Sequence, residues 1–143
     1  MNESTIFLPC AALVALTAAV GIRLFVERIG DMKRNRIHPQ TIAISRQAVE
    51  RLRSVQAADN YRNLFEVPVL FYALSAALTA SHLVSLGFVA AAWVFVGLRV
   101  AHSYIHCTYN KVVHRFAVFA VSSTLLVAMW LAFTICLVIN HAA

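Results

Sequence analysis

The sequence predicts an all-α fold, a single-domain four-helix bundle embedded in a membrane. Three observations carry this expectation. The chain has 143 residues, of which 61% are hydrophobic and only 13% charged, against roughly a quarter charged in soluble domains. Long uncharged runs alternate with short charged ones, and the runs are long enough to cross a bilayer as helices. The basic residues gather in two intervals that such crossings would place on one side, which is the pattern of cytoplasmic loops. A net charge of +6 distributed in this way argues for a membrane surface and against nucleic acid as a partner. No linker-like composition and no internal repeat divides the chain.

The first uncharged run is Ser4 to Ile22. A signal peptide would begin with basic residues, yet Glu3 is the only charge before the run and arginines follow it. A retained helix over about 5–28 is expected, with its N-terminus outside the cytoplasm. Pro9 falls in the first turn, where a missing N–H costs little. Arg23 directly follows Ile22, and its long stem suits an interfacial anchor. A basic loop over about 29–57 comes next, with Lys33, Arg34, Arg36, Arg46, Arg51 and Arg53 set against Asp31 and Glu50. Pro39 interrupts it. Ile44, Ala48, Leu52 and Val55 recur at helical spacing, so the second helix starts before the membrane or lies along its surface.

Val67 to Leu98 is uncharged, too long for one ordinary crossing and short for two. The natural turn is Thr79-Ala80-Ser81-His82, with Gly87 soon after. This divides the run into a second helix over about 58–80 and a third over about 83–109. Leu83 to Leu98 spans roughly 24 Å as helix, less than the hydrocarbon core, so the crossing draws Arg99 and His102 to or below the membrane surface. The fourth helix, about 112–140, follows Lys111 and carries Arg115 at its start. Even parity puts both termini on the non-cytoplasmic side, as in a bacterial inner membrane or the endoplasmic reticulum. Cys10, Cys107 and Cys136 show no paired spacing and read as small buried hydrophobes. Cys10 and Cys136 share a side, which leaves a bridge between them open.

Two polar stripes interrupt this apolar plan. On helix two, Asp59, Arg62, Asn63 and Glu66 share a face, with Arg62 and Glu66 as an i,i+4 pair. On helix three, Arg99, His102, Ser103, His106 and Asn110 share another. Antiparallel neighbours set both stripes at one depth beside Arg115, with Arg23 near the edge. Singly, these arginines are ordinary pairs or anchors. Together they form a cationic pocket at the inner leaflet, suited to an anionic or zwitterionic guest held by guanidinium forks and the Asn63 amide. Pro68 cannot donate to the Leu64 carbonyl, so helix two kinks just past the stripe; that either widens a cavity or is a tolerated membrane proline. His102 and His106 stand at a metal-binding spacing, and His114 could face His106 across a haem. Cys107 points about 100° from His106 and no carboxylate completes a set, so no metal site is expected.

With these residues in view, the chain resembles the MAPEG family, the membrane-associated proteins of eicosanoid and glutathione metabolism. The likeness rests on Arg62-Asn63-x-x-Glu66 followed by Pro68, on Arg99-Val100-Ala101-His102, and on Arg115 beyond a short basic loop. These spacings look most like the microsomal glutathione transferase and prostaglandin E synthase branch. The resemblance implies a homotrimer with glutathione as co-substrate, bound between neighbouring subunits near the cytoplasmic face. It implies that Arg62, Asn63, Glu66, Arg99 and His102 hold glutathione, with His106 expected to join them at the position of a family tyrosine, that the adjacent subunit contributes Arg23, and that Arg115 activates the thiol. A guanidinium beside sulfur favours the thiolate, which is the nucleophile toward a lipophilic substrate arriving through the lipid.

The chain also departs from the family pattern. Asp59 stands where the family often has another arginine, His106 where it has a tyrosine, and Phe116 and Phe119 where the prostaglandin E synthase branch has hydroxyls. The implied activity is therefore a glutathione transferase, or a peroxidase toward lipid hydroperoxides, rather than a prostaglandin isomerase. A second reading, motivated by Asp59, is a non-catalytic trimer that binds another anionic ligand or a lipid headgroup. A third is a haem, metal or ion-conducting protein.

Overall fold

A computed structural model of the protein describes residues 2–42 and 55–142. Ile44, Ala48 and Leu52, and with them Arg46, Glu50, Arg51 and Arg53 of the basic loop, lie outside the described residues. The chain opens with a 3-10 turn, Glu3–Ile6, capped by the Asn2 side chain, and runs directly into α1, Phe7–Arg34. This helix passes well beyond Arg28, where the sequence pattern ends it. The apolar stripe stops there but the hydrogen-bond ladder does not, and Lys33 and Arg34 in the last turn suit the negative end of the helix dipole.

The second crossing is two helices, α2 (Val55–Asn63) and α3 (Val67–Ala80), rather than one kinked helix. The interruption at Leu64, Phe65 and Glu66 precedes Pro68, which sits in the first turn of α3. Pro68 has no N–H for the Leu64 carbonyl, and its ring would collide with that carbonyl in a continuous helix. The chain avoids the collision by leaving the helical region at Glu66, with φ −93° and ψ −85°. The next turn is Ser81 and His82, where His82 adopts a left-handed φ of 55°. α4 spans Leu86–Cys107 and α5 spans Val112–Ala142. Gly87 therefore belongs to α4 and not to the turn.

Among the described residues, four segments are long and apolar enough to cross a membrane: Glu3–Arg34, Val55–Ala80, Leu86–Cys107 and Val112–Asn140. α4 is the central element, packing against α1, α2 and α5, while α3 packs against α1 and α5. Leu13, Phe71, Leu74, Leu78, Ala92 and Phe95 are fully buried between them. The rings of Phe71 and Phe95 stack with centroids 4.8 Å apart. Several hydroxyls within the apolar spans are satisfied locally, as where Thr17 donates to the Leu13 carbonyl and Ser75 to that of Phe71, whereas Ser123 Oγ is buried without a partner among the described residues. The indole of Trp130 reaches across from α5 to the Leu70 carbonyl. Phe25, Val94, Leu131 and Ile135 face outward, a surface suited to hydrocarbon and not to water.

One end of the bundle joins the N-terminal turn to the α3–α4 connection, where the Glu3 carboxylate lies 2.9 Å from His82 Nδ1. Asn140 of α5 shares a cleft with His82 there. Both ends of the described chain thus sit at one end of the bundle, and the polar residues of α2 and α4 lie at the other. Cys10, Cys107 and Cys136 are free, and no bridge joins Cys10 to Cys136. Phe71→Ala should destabilise the detergent-solubilised protein by about 3 kcal/mol, through the lost stack and the cavity left behind. Leu131→Ala, on the outward face, should stay within about 0.5 kcal/mol in the same unfolding measurement.

Candidate ligand-binding site

The polar end of the bundle holds a cleft of about 420 Å³, within the size range of small-molecule sites. α2 and the break after it supply Asp59, Arg62, Asn63 and Glu66; α4 supplies His102 and His106; α5 supplies Val112, Arg115, Phe116 and Phe119. Six of the eight expected site residues therefore line one space: Arg62, Asn63, Glu66, His102, His106 and Arg115. The charges are mixed in sign, and the α5 wall is apolar apart from Arg115. Phe116 is 68% exposed, which opens that wall toward the lipid side.

Arg99 lies at the margin of this space, fully buried at 0% exposure. Its Nη2 donates to the Asn63 carbonyl at 3.0 Å. That carbonyl is available because the helix breaks after Asn63; in a continuous helix it would accept from the Val67 N–H. The guanidinium also sits 5.7 Å from the centre of the Phe119 ring, a cation–π distance. Its Nε and Nη1 have no partner among the described residues, and no carboxylate there lies within ion-pair distance of it. A buried guanidinium left in this state is costly, and an anionic guest would relieve it.

The two imidazoles are oriented by Arg115 in different ways. His102 Nδ1 donates to the Arg115 carbonyl at 3.2 Å, leaving Nε2 as an unpartnered acceptor. His106 Nε2 lies 3.3 Å from Arg115 Nη1. Because a guanidinium can only donate, Nε2 is the acceptor and the proton of the neutral ring sits on Nδ1, which is buried without a partner. The rings are 5.7 Å apart. His114 does not face them; it is exposed and lies against Tyr109. Among the described residues no three His, Cys, Asp or Glu side chains converge as metal ligands.

Two expectations require correction. Arg62 and Glu66 form no ion pair among the described residues, because the break turns Glu66 away from the helical i+4 position. Asn110 is not on the helix-three stripe: α4 stops at Cys107, and Asn110 takes a left-handed φ of 45° in the connection to α5. Arg23, expected from the resemblance to serve the adjacent subunit, does not line the cleft of its own chain. It pairs with Glu27 at 2.7 Å and donates to the Cys107 carbonyl at 2.6 Å, joining α1 to the end of α4.

Two groups escaped the sequence reading. Asn60 is fully buried, donating to Cys107 Sγ and accepting from Ser103 Oγ, both at 3.3 Å, and so ties α2 to α4 beneath the cleft. Its position beside Asp59 and at helical spacing from the buried Ala57 was the available signal. The other is the Asn110 side chain, whose Oδ1 accepts from Arg115 Nη1 at 2.8 Å. Nothing in the spacing indicates that contact, since it depends on the turn.

No curated protein and no solved structure shows a significant match to the chain. The family profile described as the MAPEG family matches residues 6–135, which reaches into all four apolar segments and takes in every residue of the cleft. With its helices, it makes the protein a multi-pass integral membrane protein. On that match the chain belongs to the MAPEG family.

Proposed function

We propose that the protein is a glutathione-dependent membrane enzyme in which the glutathione thiolate attacks a lipophilic electrophile or a lipid hydroperoxide. The observation that carries this reading is the cleft in which Arg62, Asn63, Glu66, His102, His106 and Arg115 meet, with the unpaired guanidinium of Arg99 beside it. Glutathione offers two carboxylates, one ammonium group and a thiol. Arg62 and Arg99 suit the carboxylates through charge-assisted hydrogen bonds. Glu66 and Asp59 suit the ammonium group, and a mixed-sign cleft favours such a zwitterion over a simple anion. Arg115, next to the apolar wall of Phe116 and Phe119, is the residue assigned to the sulfur.

In this mechanism the thiol proton passes to solvent at the mouth of the cleft, and Arg115 holds the resulting thiolate by charge. With an electrophilic carbon, the sulfur lone pair forms the C–S bond and the leaving group departs with its electron pair. With a hydroperoxide, sulfur attacks the terminal oxygen to give the sulfenic acid, the O–O bond breaks, and the alkoxide leaves and takes a proton from solvent to become the alcohol. A second glutathione then converts the sulfenic acid to glutathione disulfide and water. The assembly is a homotrimer, with Arg23 of each subunit facing its neighbour's cleft. Both termini lie on the non-cytoplasmic side.

Asp59 in the cleft supports a second reading, in which another anionic ligand or a lipid headgroup binds without catalysis. Calorimetry on detergent-solubilised protein separates the two, and no heat at millimolar glutathione would eliminate the enzyme. Given binding, Arg115→Ala should lower kcat for conjugation of chlorodinitrobenzene about 100-fold, as expected on removing a charge from the reacting atom. Arg62→Ala should instead raise the KM for glutathione about 10-fold with little change in kcat. Equal losses in both variants would contradict this division of roles.

A further inference from the structure

We propose that Asn110 is a positioning residue that, together with His106, fixes the orientation of the Arg115 guanidinium. The inference rests on the assignment of Arg115 to the glutathione sulfur. Arg115 Nη1 carries two hydrogens, and two acceptors face it: Asn110 Oδ1 at 2.8 Å and His106 Nε2 at 3.3 Å. With Nη1 saturated, the three remaining hydrogens of the guanidinium, on Nε and Nη2, are the ones left for a guest. An arginine side chain near a helix start would otherwise sample several rotamers. Two acceptors on one terminal nitrogen remove most of that freedom before any ligand arrives, which is how a donor is preorganised for a developing charge.

The acceptors come from separate places. His106 is buried on the last turns of α4, whereas Asn110 belongs to the connection between α4 and α5. The Asn110 backbone closes that connection, donating its N–H to the Ile105 carbonyl at 2.8 Å with φ at 45°. A glycine would meet this backbone requirement without strain. Asparagine meets it as well, being among the residues that tolerate the left-handed region. The side-chain amide goes further than the turn requires, and its oxygen is directed to the guanidinium. Phe116 and Phe119, where a hydroxyl could have approached the same arginine, offer no acceptor. His106 supplies an acceptor from α4 and Asn110 one from the α4–α5 connection.

The test uses the full chain in detergent or nanodiscs, with glutathione and chlorodinitrobenzene. Asn110→Gly keeps the turn and removes the oxygen; Asn110→Asp keeps an oxygen in place. We expect Asn110→Gly to lower kcat about 10-fold while the KM for glutathione changes by less than about twofold. The ultraviolet absorbance of bound thiolate should fall in parallel, and Asn110→Asp should restore both. Parental kcat and thiolate absorbance in Asn110→Gly, alongside an inactive Arg115→Ala, would overturn the positioning role and leave the thiol assignment standing. An Arg115→Ala variant as active as the parent would remove that assignment and this inference with it. Equal kinetic losses in the Gly and Asp variants, with a lowered melting temperature, would mark Asn110 as a structural turn residue only and also overturn the proposal.

Discussion

The bond from the buried Arg99 guanidinium to the Asn63 carbonyl, 3.0 Å long, is the constraint on which the polar end of the bundle depends. A charged group at 0% exposure inside an apolar bundle needs a fixed acceptor. A helix offers a carbonyl with no ladder partner only where the ladder is broken or ends. Pro68 forces that break. The same break ends α2 at Asn63 and takes Glu66 out of regular helix, and both line the cleft. One proline thus links the backbone geometry of the second crossing to the electrostatics of the site. Asn60 and Ser103 reinforce the joint from below, holding α2 against α4 through buried hydrogen bonds.

Around this joint the cleft is built with two unlike walls. Asp59, Arg62, Asn63, Glu66 and the histidines of α4 form a polar side of both signs, and Val112, Phe116 and Phe119 form an apolar one. Arg115 is the only charged residue on the apolar wall, so a group held there lies between a hydrogen-bonding surface and the lipid-facing helices. That arrangement suits chemistry between a polar co-substrate and a membrane-dissolved partner. The orphaned nitrogens of Arg99, His102 and His106 are concentrated in this neighbourhood, where binding energy can be recovered from desolvation already endured.

The four apolar crossings, the all-α class and the common depth of the two polar stripes were legible in the chain. Uncharged run length and the placement of lysine and arginine are properties of local composition, and the bilayer converts them directly into topology. Most of the candidate site was legible for a related reason. Arg62, Asn63, Glu66, His102, His106 and Arg115 cannot point into lipid at low cost, so antiparallel packing leaves them one place to meet.

What the sequence determined by itself, then, is which segments cross and which side chains must avoid hydrocarbon. Only the tertiary structure decided how those side chains are partnered. Periodicity carries α4 on to Asn110, whereas the chain turns after Cys107 and brings Asn110 round to Arg115 from the connection. Periodicity likewise pairs Arg62 with Glu66, whereas the steric demand of Pro68 separates them and gives the Asn63 carbonyl to Arg99. Arg23 looks like an anchor at the end of an apolar run, yet it spans two helices to reach the Cys107 carbonyl. In each case the deciding contact lies between segments distant in sequence, or depends on a left-handed or broken backbone. Neither leaves a mark in residue spacing.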